Sequence, residues 1–188
     1  MVHIQHIYEL FVLFNAFQPQ LSKLIQERSI LNAQKALEIS IKLKETASKL
    51  YQTLALIYKD DKYAKEIWRT LSKDKALQGK FFSDELIRLK DVPAAYWNTS
   101  MDLTALTNAH TLLLEKKKDV NSNKKNMTLT EALDISIEIE EKIIAPSYIK
   151  IIPQASPALK MILREVVRGD KPTEVLRATK DKIKNDDR

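Results

Sequence analysis

The chain has 188 residues, of which 44% are apolar and 30% charged, with a formal net charge of +6. That profile suits one soluble globular domain with a sizeable core, and the charge is too small to mark a nucleic-acid binder by itself. Two glycines and no cysteine argue against a turn-rich β fold and a glycine-rich phosphate loop, and rule out disulfides, thiolate metal sites and cysteine nucleophiles.

The first stretch is MVHIQHIYELFVLFNAF. Ile7, Leu10, Phe11, Phe14 and Phe17 recur at helical spacing and predict a short apolar helix over residues 1–18, ended at Pro19 or followed there by the next helix. The run falls short of the ~20 apolar residues that span a bilayer. It has neither the basic start nor the small-residue cleavage site of a secretory signal. A cytoplasmic protein without a transmembrane segment is therefore expected. The Phe-rich face either caps its own bundle or forms a homodimer seam. His3, His6 and Glu9 share the i, i+3, i+6 spacing of a one-face metal site, though such terminal residues are more often simply solvated.

Residues 19–188 read as a helical bundle. A long helix is expected from about Gln20 or Ser29 to Tyr58, with a polar turn at KDDK (59–62). A second runs from about Asp61 to Lys90 and stops at DVP (91–93), because the residue before proline disfavours α geometry. The connection 92–127 is expected to hold one helix, from Ser100 or Asp102 to about Lys117. A solvated loop, EKKKDVNSNKKN, should follow it. Its lysines, Lys116–Lys118 with Lys124 and Lys125, lack interleaved aromatics, so the nucleic-acid signal is weak. TLTE at 128–131 is a capping box opening a third helix that reaches about Ile152 and bends at Pro146. A fourth helix starts near Ser156 and Pro157, is interrupted at GDKP (169–172), and ends near Lys184. Trp68 and Trp97 are expected to be packing residues, and His110 a half-buried hydrogen-bonding one.

An internal repeat organises these elements. ALEISIKLKE (36–45) and ALDISIEIEE (132–141) agree at Ala, Leu, Ile, Ser, Ile and the final Glu. Each begins the apolar part of a long helix followed by a turn and a second helix. Two hairpins, about 30–91 and 128–184, joined by one long crossover make an all-α, ferritin-like four-helix bundle with an extra N-terminal helix.

The repeat, together with YAKEIWRTLSKDKALQGKFF and ALKMILREVVRGDKPTEVLR, resembles the rubrerythrin-like members of the ferritin-like family. The resemblance implies a glutamate from the first helix of each hairpin and Glu-x-x-His from the second, together holding two irons. Here those positions fall on Lys44, on Lys75 and Gln78, on Glu140, and on Asp170 and Thr173. Neither histidine is present and two carboxylates are lysines, whose ammonium has no lone pair for a metal. The expectation is a bundle that has lost its diiron site, has no cofactor and acts as a binding or scaffold protein. Lys44, Lys75, Glu140 and Asp170 would neutralise one another across the core; alternatively the helices are rotated by about one residue, the lysines snorkel outward, and the shifted positions Glu45 and Glu141 are solvated. The competing expectation is a metal-dependent oxidoreductase of the rubrerythrin-like type, with an iron site rebuilt from Glu45, Glu140, Glu141 and Asp170.

Overall fold

The structure is a computed structural model that describes residues 2–169 and 172–186, and the side chains of residues 17–167 and 173–183. All regular elements among the described residues are helical. In chain order they are α1 (Val2–Ile57), α2 (Lys62–Asp91), α3 (Thr104–Ser122), α4 (Leu129–Glu138), a π-helical turn (Ile139–Ile144), α5 (Ala145–Ile151), α6 (Pro157–Gly169) and α7 (Pro172–Asp186). None is long and apolar enough to cross a membrane.

The α1–α2 hairpin is the largest packed unit. Asp61 caps α2 by accepting from the Ala64 amide at 2.9 Å. The buried stripe of α1 contains Leu37, Ser40, Lys44, Ala47, Tyr51 and Leu54, and that of α2 contains Trp68, Leu71, Lys75, Phe82 and Leu89. At the closed end Tyr58 stacks on Trp68, with ring centres 5.0 Å apart. The Tyr58 hydroxyl donates to the Met127 carbonyl at 2.8 Å. Burial, and then Glu131, push its phenol up to about 12, so it stays a donor.

The capping box forms as expected. The Thr128 amide donates to Glu131 Oε2 at 2.7 Å, and the Glu131 amide donates back to Thr128 Oγ1 at 3.3 Å. From there α4, the π turn and α5 run back along α1. α7 returns along α4, held by ion pairs of Arg177 with Glu141 and of Lys180 with Asp134. Lys182 lies 5.7 Å from the Tyr63 ring centre and ties α7 to the start of α2. α3 covers α1 on one side and the π turn and α5 on the other.

Four expectations are corrected. α1 passes through Pro19 without a break, so there is no separate helix ending at residue 18. A proline inside a helix frees one carbonyl four residues back. The side chains just beyond it, residues 17–25, are exposed, so α1 has no neighbour here whose packing a proline would disturb. Second, α3 extends to Ser122 rather than stopping near Lys117, because Val120 is buried and draws the next turn onto the core. Lys116 then pairs with Glu138 at 2.8 Å instead of lying in a loop. Third, Trp97, expected in the core or on the crossover, is 40% exposed on the crossover and is not in the core. It precedes Asn98, whose φ of 64° is left-handed, a region asparagine tolerates better than most residues. Fourth, the irregularity near Pro146 takes the form of a π turn just before it: the Ala145 amide bonds to the Glu140 carbonyl, five residues back. Pro146 has no N–H to offer the Lys142 carbonyl, so the α register could not continue intact there.

Candidate functional site: a buried charged cluster

The core of the bundle holds ions. Lys44 and Lys75 are among the largest fully buried side chains, and Glu140 is buried with them. Helical spacing puts them there. Lys44 lies one turn beyond Ser40 on the inner stripe of α1, and Lys75 one turn beyond Leu71 on α2. Glu140 stands in the second repeat where Lys44 stands in the first. The repeat carries its burial with it: Ala36 and Ala132, Leu37 and Leu133, and Ser40 and Ser136 are all buried.

Two helices converge on the Glu140 carboxylate, which the π turn carries. Lys75 Nζ lies 2.7 Å from Oε2, and the Tyr51 hydroxyl donates to Oε1 at 2.6 Å. One carboxylate oxygen thus serves α2 and the other serves α1. A short ionic hydrogen bond of this kind is about twice as strong as a neutral one. On one side of this layer, Trp68 Nε1 donates to Ser136 Oγ at 3.0 Å. On the other, Lys44 Nζ sits 5.0 Å from the Tyr148 ring centre, within cation–π range. Phe82 stacks against the same ring, with centres 5.9 Å apart and planes 13° from parallel. Ser40 Oγ is buried without a hydrogen-bond partner among the described residues.

Tyr51 and Tyr148 are equivalent residues of the repeat once the π turn is taken into account. Tyr148 stands one residue further along than an uninterrupted match to Tyr51 would place it, and the π turn supplies that residue. The tyrosine of each half meets the charged residue of the other: Tyr51 meets Glu140, and Tyr148 meets Lys44.

The remaining predicted residues lie apart from this centre. Gln78 is half-buried on α2 and Thr173 half-buried at the start of α7, while Asp170 lies outside the described residues. Glu45 is exposed and lines an outer groove of about 460 Å³ between α1 and α2, with Lys49, Lys80 and Ser83. Glu141 points to the α7 side, where both its oxygens are held by Arg177 at 2.7 and 2.8 Å. The Arg177 hydrogen bonds hold its carboxyl below the usual carboxylate range. The carboxylates of the rebuilt iron site, Glu45, Glu140 and Glu141, therefore face three different surroundings. Among the described residues no group of three or more histidines, aspartates or glutamates is arranged to hold a metal ion. The side chains of His3, His6, Glu9, Ile7, Leu10, Phe11 and Phe14 lie outside the described set, and Phe17 is exposed.

A diiron centre needs oxygen and nitrogen lone pairs. The residues at the corresponding positions bring two ammonium groups, and one of them is seated on the buried carboxylate. They do not fit that group. Comparisons with protein-family models, with curated proteins and with solved structures gave no match.

Proposed function

We propose that the chain is a non-catalytic, ferritin-like bundle whose vacated metal centre is closed by its own charges, and that it works as a binding or scaffold protein. The observation that carries this reading is the Lys75–Glu140 contact of 2.7 Å between two buried side chains. An ammonium there occupies the carboxylate oxygen a metal would use and repels a dication directly. Tyr51 takes the second oxygen, so each oxygen of the acid already accepts from a protein donor. The matched burial of the two repeats and the antiparallel return of α7 along α4 support the ferritin-like layout.

The test is metal content. Protein produced with iron, manganese and zinc supplied in turn, then freed of loosely held ions, is expected to carry well under one metal per chain by elemental analysis. A stoichiometric pair of metal ions, lost in Glu140→Gln, would overturn the proposal.

A further inference from the structure

Between residues 17 and 31, α1 has an apolar face that its own bundle does not cover. At 1.5 Å per residue, the 56 residues of α1 make a rod of about 84 Å, whereas the 30 residues of α2 span about 45 Å. The first buried side chain described on α1 is Ser29. Before it, Phe17, Leu21, Leu24 and Ile25 are exposed, as is Leu31 just after it, each by 46–62%.

This face is not the core stripe continued. At 100° per residue, these five residues lie roughly 120–160° around the helix from Leu37, which faces the core. A longer α2 would therefore not cover them. Ile7, Leu10, Phe14, Phe17, Leu21, Leu24, Arg28 and Leu31 alternate three and four residues apart, an a/d heptad register interrupted only by Arg28. The core stripe from Leu37 to Leu54 has the same spacing on another face, and a period of 3.5 keeps such a face against a partner helix. Pro19 falls at the f position, on the outside of such a coil, where its lost hydrogen bond opens to water. Lys23 and Glu27, 3.9 Å apart, lie at c and g, off the a/d seam.

We infer that this seam pairs with the same seam of a second copy, in antiparallel orientation. The register is self-complementary. Opposed about residue 19, Ile7 meets Leu31, Phe14 meets Leu24, and Phe17 meets Leu21, so three of the four pairs set apolar against apolar. Only Arg28 interrupts the pattern, and in this arrangement it lies opposite Leu10. A parallel, in-register pair would set Arg28 against Arg28 at a core layer, and a polar residue at a single a position is a known selector of coiled-coil register. The area is sufficient. Covering the five described residues removes on the order of 1,000 Å² over the pair, which already reaches the lower range of specific interfaces before residues 7–14 are added. The two bundles then sit at opposite ends of a shared shaft. This inference is independent of the metal reading.

Sedimentation equilibrium of the full chain is expected to give the mass of two chains at micromolar concentration. Leu21→Glu with Leu24→Glu should weaken self-association at least 100-fold, while far-ultraviolet circular dichroism and the melting of the bundle stay close to wild type. The absence of cysteine makes orientation readable. Leu10→Cys alone should not cross-link, because the two copies of residue 10 would be about 27 Å apart along the shaft. An equimolar mixture of Leu10→Cys and Arg28→Cys should cross-link. A wild-type monomer, or a dimer that survives the double glutamate variant, overturns the inference. So does a monomer that instead floats with vesicles of anionic phospholipid, which would assign the face to a membrane surface. Cross-linking of Leu10→Cys alone overturns the antiparallel orientation.

Discussion

Replacing Lys75 by methionine probes the centre of the bundle most directly. Two unit charges 2.7 Å apart attract by about 6 kcal/mol at an effective dielectric of 20. Removing two ions from water costs several kcal/mol each, so the pair as a whole is worth little against apolar residues of similar size. Breaking it is another matter. Lys75→Met leaves the Glu140 carboxylate buried with Tyr51 as its remaining polar contact. Glu140→Leu takes away the carboxylate with which the buried Lys75 ammonium pairs. Each single change should cost about 3–5 kcal/mol, and the double variant should recover at least half of the summed loss. Urea unfolding of the four proteins of the cycle measures this, with equal m-values as the condition for comparison. Single changes within about ±0.5 kcal/mol of wild type, as at an exposed site, would refute the buried pair and with it the placement of Lys75 in the core.

Three further outcomes test neighbouring parts of the structure. Tyr51→Phe removes the 2.6 Å donor to Glu140 without changing shape, and should cost about 1.5–3 kcal/mol by chemical denaturation; no loss would mean that the hydroxyl is not needed there. Gly79→Ala should stabilise by about 0.5–1 kcal/mol, because the new methyl meets only Lys44 Cβ at 3.6 Å and alanine is the better helix former; destabilisation would show that the α1–α2 approach is tighter than described. His110 accepts or donates across 3.3 Å to Thr46, and burial, then Lys42, hold its pKa below the ordinary value. Its contribution is therefore fully present above about pH 6.5 and is lost as pH falls through the lower folded value. His110→Gln should flatten the fall in melting temperature between pH 7 and pH 5, and an unchanged slope would assign that fall to other groups.

The core was legible in the sequence where a single period ruled it. The inner stripe of α1 predicts Ser40, Lys44, Ala47 and Tyr51 in contact with α2, and all four are buried. The capping box at Thr128 and the helix start at Pro157 were equally readable, since capping is local chemistry. Less legible was anything decided by packing at a distance. Pro19 reads as a boundary because proline usually is one, but an exposed rod tolerates it. EKKKDVNSNKKN reads as a loop because one valine in twelve residues gives no stripe, yet Val120 reaches the core. The π turn has no residue signature of its own. Its one trace is Pro146 together with the one-residue slip between Tyr51 and Tyr148, which is visible once the repeat is followed past its matching decamers. The partnership of Tyr51 with Glu140 could have been suspected from the same comparison, since both lie on inner stripes of equivalent helices.

An ion pair that adds little net stability still constrains the fold. The helix carrying Glu140 is the loosest of the long ones in register: a π turn changes its hydrogen-bond step, and Pro146 removes a donor just beyond. Apolar packing alone discriminates weakly between neighbouring positions here, because Ile139, Ile143 and Ile144 are all buried and would fill similar space after a slip. A carboxylate discriminates strongly. Only at position 140 does it meet Lys75 with one oxygen and Tyr51 with the other, from two different helices. A slip one way would set Ile139 where Glu140 meets Lys75 and Tyr51, and a slip the other way would draw Glu141 inward from the two hydrogen bonds it receives from Arg177. The buried charges thus hold the register of the second hairpin against the first. A rigid bundle fixed in this way is a suitable end-piece for the α1 shaft, because whatever is joined through the shaft is then held at a defined distance and angle.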